Sequence, residues 1–172
     1  MTDIDFRRDL LPLRDRLFRL ALRITLDRME AEDVAEDVLV RVWERRESLR
    51  EVESLEAYCL TTCRNLALDR SAKAVAQHLS LDDEAATGQT TAHMGDDAHD
   101  PQATMEQHER IAAVRAAIAT LPETQRTALM LREEEGRSGA EIAAIMHLTE
   151  ANVKVILCRA RRALRSKLAP HL

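Results

Sequence analysis

The chain has 172 residues, of which 45% are hydrophobic but only 2% aromatic, and its formal net charge is −5. Glycine and proline are scarce, with four of each, and no β-rich alternating run occurs, so we expect an all-α protein. No apolar stretch approaches the roughly 18 residues of a membrane span, and charges interrupt the amino terminus too often for a signal peptide, which predicts a cytoplasmic protein without membrane insertion.

Charge is distributed unevenly along the chain and predicts two modules joined by a tether. Residues 1–75 carry 14 Lys/Arg and 16 Asp/Glu, residues 76–109 carry no Lys/Arg and 8 Asp/Glu, and residues 110–172 carry 11 Lys/Arg and 6 Asp/Glu. The middle segment lacks the large apolar residues needed to offset the entropy of ordering, so we interpret it as an acidic flexible linker. It is a solvated spacer, a mimic of a phosphate chain that binds a basic channel, or a segment that folds back and masks the basic module.

Apolar residues at helical spacing predict three helices in residues 1–75. The first runs from Phe6 to Ile24, although Pro12 disturbs its early turns. The second begins near Ala31, and the third covers about residues 54–73. The side chains expected to face inward include Leu10, Leu13, Leu17, Leu20, Val34, Val38, Val42, Trp43, Leu55, Tyr58 and Leu66.

The second predicted helix carries a cluster of carboxylates. Asp33, Glu36 and Asp37 are spaced at three and four residues, so they share one helix face and can meet Arg or Lys of a partner protein. The alternative is an acidic face that is merely solvated, as most charged helix faces are.

The three cysteines, Cys59, Cys63 and Cys158, suit reduced thiols better than a disulfide framework. Cys59 and Cys63 would share a helix face, so a redox switch or half of a metal site is the alternative to packed thiols. No second Cys or His pair stands at zinc-finger spacing, and we predict no metal site and no cofactor. The sequence has neither a Gly-rich phosphate loop nor a Ser/His/Asp constellation, so we expect no enzyme.

The module at residues 110–172 begins with two predicted helices. Pro122 opens the second of them, where a missing N–H does no harm, and Gly136 ends it. The apolar stripe of the first consists of Ile111, Val114, Ile118 and Leu121.

Two further helices follow, with a short turn between them. Ser138 and Glu141 have the S-x-x-E spacing of a capping box, and Thr149 can cap the last helix after a turn at His147. The buried stripe of that last helix, spaced at four, three and four residues, is Val153, Leu157, Ala160 and Leu164. Its cations lie largely off the stripe: Lys154, Arg159, Arg161, Arg162, Arg165 and Lys167.

A short helix, a tight turn and a longer basic helix form the helix-turn-helix unit that enters a DNA major groove. Positive charge is concentrated in this module, as phosphate binding requires. The alternative is a three-helix domain whose basic face is solvated. The capping box, the short turn and the basic helix directly after it favour duplex DNA as the ligand.

Both modules resemble one known family. AEDVAEDVLVRVWERRESL, residues 31–49, and the later SLEAYCLTTCRNLALDR are similar to region 2 of extracytoplasmic-function sigma factors, the smallest class of the bacterial sigma-70 family. LPETQRTALMLREEEGRS and EIAAIMHLTEANVKVILCRARRAL resemble region 4 of that family, through L-P-x-x-x-R, E-G-x-S, E-I-A, V-K and R-A-R. The resemblance covers nearly the whole chain except the linker.

The resemblance implies a promoter-specificity subunit that binds core RNA polymerase, recognises the −10 and −35 promoter elements and initiates transcription. Residues 1–75 then correspond to region 2, residues 76–109 to the linker and residues 110–172 to region 4. The implied partners are promoter DNA, the β′ coiled coil and the β flap of the polymerase, and an anti-sigma protein. A stand-alone helix-turn-helix regulator is the alternative, but the acidic helix and the tandem modules favour the sigma factor.

Site residues follow from the same resemblance. The resemblance implies that the contacts with core polymerase are Asp33, Glu36 and Asp37. Contact with the −10 element falls to Arg64, Asn65, Arg70 and Lys73. Contact with the −35 element falls to Asn152, Lys154, Val155, Cys158, Arg159 and Arg162.

The chain departs from the family pattern at several positions. Residues 46–53 lack an aromatic side chain for trapping an unstacked base, and the residues that follow the third helix motif are less basic than usual. His147 replaces the common turn glycine, which requires the histidine to adopt a positive φ. Val155 and Ile156 replace the usual Ser-Arg pair, so we expect one phosphate contact fewer in region 4.

Overall fold

The computed structural model describes residues 3–81 and 104–171, and the chain divides into two compact units, Met1–Ala92 and His93–Leu172. Regular structure in the described ranges is helical, and no strand occurs within them. The all-α prediction is confirmed.

In the part of the first unit that the structure describes, three helices pack together after an irregular entry. A π-helical turn, Phe6–Leu10, and a 3-10 turn, Leu11–Leu13, lead into α1 (Arg14–Thr25), which is followed by α2 (Arg28–Glu44) and α3 (Leu55–Leu81). The irregular entry surrounds Pro12, whose ring removes a backbone donor and prevents a regular α-helix. Each helix contacts the other two, and the shared core contains Leu10, Leu17, Leu20, Val34, Val38, Val42, Cys59, Cys63 and Ala67.

Local capping makes α2 begin at Arg28, ahead of the start predicted near Ala31. The Asp27 carboxylate accepts a hydrogen bond from the Glu30 N–H at 3.2 Å. An aspartate in this position satisfies a backbone donor that the first helical turn leaves without a partner. The predicted start misses it because the apolar pattern becomes clear only after the first turn.

Helices occupy both ends of the segment predicted as a linker, residues 76–109. α3 continues to Leu81, and α4 (Met105–Ala119) begins inside the segment. A complete capping box starts α4: the Gln107 N–H donates to Thr104 Oγ1 at 3.2 Å, and the Thr104 N–H donates to Gln107 Oε1 at 2.9 Å. The T-x-x-Q pattern of this capping box is visible in the sequence. It begins a helix in a segment whose polar composition predicts a linker. The rest of the predicted linker, residues 82–103, lies outside the described residues.

The described residues of the second unit form four helices. α4 is followed by α5 (Glu123–Glu133), α6 (Gly139–Met146) and α7 (Glu150–Leu168), and a 3-10 turn, Ala169–His171, follows α7. α7 packs against α4, α5 and α6. The core contains Leu121, Ala128, Leu131, Ile142, Ile145, Met146, Val153, Leu157 and Ala160.

The apolar stripe predicted for α4 is buried only towards its carboxy-terminal end. Leu121, just beyond the helix, is 2% exposed, whereas Ile111 and Val114 are 40% and 38% exposed. Thr120 at this end meets Lys167 of α7 through a side-chain hydrogen bond. Packing of α4 is therefore concentrated near the turn into α5.

The L-P-x-x-x-R pattern has a structural explanation in that turn. Arg126 is 7% exposed, and its Nη1 donates to the Leu121 carbonyl at 2.6 Å. Burial lowers the pKa of Arg126, while the nearby Glu123 carboxylate raises it. The buried guanidinium thus satisfies a carbonyl of the turn between α4 and α5.

The turn between α5 and α6 matches its prediction with one difference. Gly136 adopts a φ of 65°, and the Arg137 N–H donates to the Leu131 carbonyl at 2.9 Å. Ser138 Oγ accepts from the Glu141 N–H at 3.2 Å, which is one half of the predicted capping box. The Glu141 carboxylate pairs with Arg137 at 3.3 Å, and this ion pair takes the place of the other half.

Candidate protein and nucleic-acid interfaces

The outer side of α2 carries an acidic and partly apolar surface. This surface, the acidic face, consists of Met29, Asp33, Glu36, Asp37 and Val40. The three carboxylate side chains are 66%, 60% and 45% exposed, in chain order. The two apolar residues are 78% and 53% exposed. The carboxylates were predicted from the sequence and the two apolar residues were not, although the same helical spacing includes them.

Arg70 of α3 lies against this acidic face. Its Nη2 is 2.7 Å from Asp37 Oδ2, and its Nη1 is 3.2 Å from Glu30 Oε2 and 3.5 Å from Asp33 Oδ2. Burial opposes the charge on the guanidinium, but hydrogen bonds to Glu30 and Asp37 raise the pKa of Arg70 above its usual value. One arginine therefore serves three carboxylates of α2.

A second arginine holds the remaining carboxylate of the acidic face. Arg14 of α1 donates to Glu36 at 3.2 Å, and the two side chains are 50% and 60% exposed. Each carboxylate predicted to contact polymerase therefore has an arginine of its own unit within 3.5 Å. The sequence could not reveal these pairs, because the partners are 22 to 37 positions apart.

The residues predicted to contact the −10 element do not form one surface. Asn65 and Lys73 are exposed, and Arg64 is half-buried, with an Nε that has no hydrogen-bond partner among the described residues. Arg70 lies seven positions after Cys63 and so continues the buried stripe of α3, which also contains Leu66 and Ala67. Within the first unit, the structure brings Arg70 to the predicted polymerase contacts and separates it from Asn65.

An aromatic side chain lies just before the 46–53 segment. Trp43 is half-buried, and it meets Phe6 edge-to-face with ring centroids 5.7 Å apart. The Arg46 guanidinium stacks 4.1 Å from the centre of the Trp43 ring, and its Nη1 donates to the Trp43 carbonyl at 2.8 Å. The tryptophan thus already has a cation on one face.

The turn into α7 has the geometry that the sequence predicts. His147 adopts the left-handed conformation, with φ 56° and ψ 46°. Thr149 Oγ1 accepts from the Asn152 N–H at 3.1 Å and caps α7. These two positions fix the angle between α6 and α7, the pair that forms the helix-turn-helix.

The six residues predicted to contact the −35 element all lie on the exposed side of α7. Val155, the large apolar member, is 45% exposed. In the described part of the chain, none of the six side chains has a hydrogen-bond or ion-pair partner. The set, which we call the outer face of α7, is Asn152, Lys154, Val155, Cys158, Arg159 and Arg162.

Two other cations of α7 contact residues of the same unit. Arg161 pairs with Glu133 of α5 at 3.2 Å, and Lys167 bonds to Thr120. Arg161 and Lys167 therefore hold α7 against α5 and against the end of α4. The cations predicted on the surface of α7 thus divide into those paired within the unit and those without a partner among the described residues.

A groove of about 480 Å³ borders the outer face of α7. Apolar side chains form part of its wall, and cations from α5 and α7 surround them. The cationic surface therefore extends from α7 onto α5. The lining residues are Arg132, Gly139, Glu150, Val153, Lys154, Leu157, Cys158, Arg161, Arg162 and Arg165.

The cysteines of the first unit are packed side chains. Cys59 and Cys63 are both 0% exposed, and Cys63 Sγ donates to the Leu17 carbonyl at 3.3 Å. Burial raises the pKa of Cys59 to about 12 and raises that of Cys63 further. Cys158, in contrast, is exposed on α7.

The described ranges contain neither a metal-binding cluster nor a membrane-spanning helix. Those residues contain no group of three His, Cys, Asp or Glu side chains that could hold a metal ion. None of the helices described in them combines the length and the apolar character needed to cross a bilayer.

Comparison with protein families identifies both units. The family described as Sigma-70 region 2 matches residues 11–76, and the family described as Sigma-70, region 4 matches residues 111–164. The first range contains α1, α2 and most of α3. The second contains most of α4, all of α5 and α6, and most of α7.

Curated relatives extend the similarity over most of the chain. The RNA polymerase sigma-H factor of Pseudomonas aeruginosa is 30% identical over 171 residues, which cover 95% of this chain and 87% of the relative. The ECF RNA polymerase sigma factor SigL of Mycobacterium tuberculosis is 30% identical over 155 residues, with coverages of 88% and 82%. The probable RNA polymerase sigma factor RfaY of Xanthomonas campestris is 32% identical over 151 residues, but the chain spans only 36% of its length.

A solved structure shares the fold. The sigma factor RpoE of Bartonella quintana, crystallised with the anti-sigma factor NepR, has a TM-score of 0.71 and 23% identity, with 96% of this chain and 97% of that chain covered.

Proposed function

The chain belongs to the extracytoplasmic-function class of the sigma-70 family, the promoter-specificity subunits of RNA polymerase, and we propose how its two units divide that task. The first unit binds the polymerase and engages the −10 element. The second unit binds the −35 element. The chain performs no catalysis of its own and acts in the cytoplasm, where the polymerase works.

The acidic face of α2 is the proposed contact with the β′ coiled coil of core polymerase. Asp33 and Glu36 are more than half exposed, so cations of a partner can reach them. Met29 and Val40 flank them with exposed apolar area, and such area contributes binding free energy when a partner covers it. The carboxylates would then set the orientation of the docked coiled coil, and Met29 and Val40 would supply the apolar area that becomes buried.

The exposed side of α3 is the proposed contact with the −10 element. Asn65 is placed to bond to a base edge, and Lys73 to bond to a phosphate. Arg64 is half-buried and suits a positioning contact with the sugar-phosphate chain. Binding of a flipped base offsets the few kcal/mol needed to unstack it, which is how a non-enzymatic protein can help to open a duplex.

The outer face of α7 is the proposed reader of the −35 element. Its polar members have no competing partner in the described part of the chain, so they are available to base edges and phosphates. Lys154 and Arg159 can donate to guanine or to phosphate, and Val155 and Cys158 can contact a thymine methyl group. The unpartnered state of this face is the observation that carries the proposal. The second unit is also the proposed contact with the β flap.

An anti-sigma protein is the proposed regulator. The Bartonella relative of similar fold was crystallised with such a protein. The surfaces described above are those that an inhibitor must cover to prevent initiation. A stand-alone regulator is not favoured, because both sigma regions are present in one chain.

Transcription in vitro tests this function directly. The purified chain is added to core polymerase of its source bacterium, free of other sigma factors, with sheared chromosomal DNA as template. We expect a defined set of RNA 5′ ends that core polymerase alone does not produce. If no new 5′ ends arise although the core enzyme transcribes with another sigma factor, the proposal is wrong.

A further inference from the structure

Arg70 connects the two interfaces that the proposed function assigns to the first unit. It is carried by α3, the proposed −10 helix, yet its guanidinium lies on the carboxylates of α2, the proposed polymerase helix. Resting on that proposed function, we propose that polymerase docking displaces Arg70 from the acidic face and releases it to bind a promoter phosphate. Arg70 is then a coupling residue between the two interfaces.

The charges around Arg70 are suited to an exchange. One guanidinium faces Glu30, Asp33 and Asp37, which leaves a net charge of −2 for the cluster. A cation of the polymerase is attracted to this remaining charge. Once it pairs with Asp33 and Asp37, it repels Arg70 and takes over part of its hydrogen bonding.

Exposure allows the exchange to proceed. The carboxylates of Glu30, Asp33 and Asp37 are 41%, 66% and 45% exposed, and the Arg70 side chain is 29% exposed. Ion pairs open to water to this extent stabilise a fold only weakly. A partner can therefore replace Arg70 without unfolding the bundle, whose apolar core lies beneath these pairs.

The released side chain has a DNA-binding neighbour. Lys73 lies one helical turn beyond Arg70 on α3 and is exposed. A guanidinium binds phosphate in a bidentate manner, so an arginine that leaves carboxylates on this helix gains a favourable new partner beside Lys73. Because coupling is reciprocal, DNA that captures Arg70 also strengthens the grip of the polymerase on α2.

Arg14 provides a matched control. It pairs with Glu36 of the same acidic face at 3.2 Å, but it belongs to α1. Arg14→Gln and Arg70→Gln each remove one internal competitor for a carboxylate. Only Arg70→Gln removes a residue that the proposal brings to DNA.

Two equilibrium measurements on the intact 172-residue chain test the exchange. In the first, affinity for core polymerase is measured without DNA, and both Gln variants should bind about threefold more tightly than the wild type. In the second, affinity of the assembled holoenzyme for a promoter is measured at saturating core polymerase. There, Arg70→Gln should lose about fivefold with a salt slope lower by about one, and Arg14→Gln should match the wild type.

Each alternative outcome identifies a different error. Weaker binding of Arg70→Gln to core polymerase, with helicity unchanged, means that Arg70 organises the acidic face, and it overturns the exchange. Unchanged promoter affinity overturns the release onto DNA. A wild-type chain that does not bind core polymerase overturns the proposed function and this inference with it.

A complementary variant tests release without polymerase. Asp37→Asn removes the nearest partner of Arg70 and should increase binding of the isolated chain to a forked promoter oligonucleotide by about threefold. Glu32→Gln makes the same change of charge on α2, away from Arg70, and should have no such effect. Equal gains in both variants would show a general charge effect and overturn the proposal.

Discussion

The two proposed interfaces differ in how their charges are held before any partner arrives. On the acidic face of α2, Arg14 and Arg70 occupy the carboxylates. On the outer face of α7, the side chains of Lys154, Arg159 and Arg162 have no partner among the described residues. The first interface must therefore exchange one ion pair for another, whereas the second can bind directly. An exchange releases less free energy than a new contact, so specificity at α2 depends more on shape and on apolar area.

Thiol reactivity provides the largest contrast between the two units. The thiolate is the reactive form of cysteine, and burial raises the pKa of Cys59 to about 12, so this thiol stays protonated at pH 7–9. We expect an alkylating reagent to modify exposed Cys158 at least about a thousandfold faster than Cys59 or Cys63, which must wait for the unit to open. Mass spectrometry of timed digests measures the three rates.

The pH dependence has a definite sign. The pKa of Cys59 is higher in the folded state than in the unfolded state. The protonated thiol therefore contributes its full stabilisation of the fold below about pH 9, and this contribution is lost as the pH rises towards 12. Fast labelling of Cys59 in a chain that keeps its helicity would contradict the packed-core assignment and restore the redox-switch alternative.

Charge reversal on α2 should produce the largest loss of polymerase binding. Asp33→Arg puts a cation where the proposal needs a carboxylate, and it should weaken binding to core polymerase by roughly 2–5 kcal/mol. Glu32→Arg is the matched control, because it makes the same change of charge on α2 at a carboxylate that pairs with Arg28 and is not a predicted polymerase contact. Affinity for core polymerase and circular dichroism are measured for both variants. Equal losses would show that net charge, rather than the acidic face, governs binding.

Truncation of single arginines on α7 compares the effect on promoter affinity of a cation without a partner among the described residues with that of a cation paired within the unit. Arg159→Ala should cost about 1–3 kcal/mol of promoter affinity if the guanidinium makes a bidentate contact with a guanine. Arg161→Ala should cost less promoter affinity, since Arg161 is already paired with Glu133 at 3.2 Å. Holoenzyme binding to a cognate promoter and to one with an altered −35 element is compared. An equal loss on both promoters would assign Arg159 to phosphate contact.

The sequence predicted the features that depend on near neighbours. The caps at Ser138 and Thr149 and the positive φ at His147 were confirmed, because spacing and side-chain chemistry over a few residues determine them. The family resemblance was confirmed as well, since it rests on the same local motifs.

The features that the sequence did not predict depend on distant partners or on competition. Arg70 reaches α2 across 33 to 40 positions, so no local pattern reveals it. Glu141 fits a capping box, but Arg137 competes for its carboxylate. The start of α4 lies inside the predicted linker, because the capping box at Thr104 begins a helix in a segment of polar composition.

Two left-handed helix ends provide the smallest and most local comparison between the units. Leu26 after α1 and His147 after α6 have φ values of 55° and 56°, a conformation that costs a residue with a Cβ roughly 1–2 kcal/mol relative to glycine. His147 is exposed, so His147→Gly should stabilise the second unit by about 1 kcal/mol. Leu26 is half-buried, so Leu26→Gly also loses apolar contact and should be neutral or destabilising.

The two units can be followed separately in the intact chain. The single Trp lies at position 43, so its fluorescence during denaturation reports the first unit, and hydrogen exchange of the α6 and α7 amides reports the second. Slower exchange in His147→Gly, with the Trp43 transition unchanged, is the expected result. Faster exchange would contradict this prediction. It would mean that contacts of the His147 side chain stabilise the turn by more free energy than the strained backbone of His147 costs.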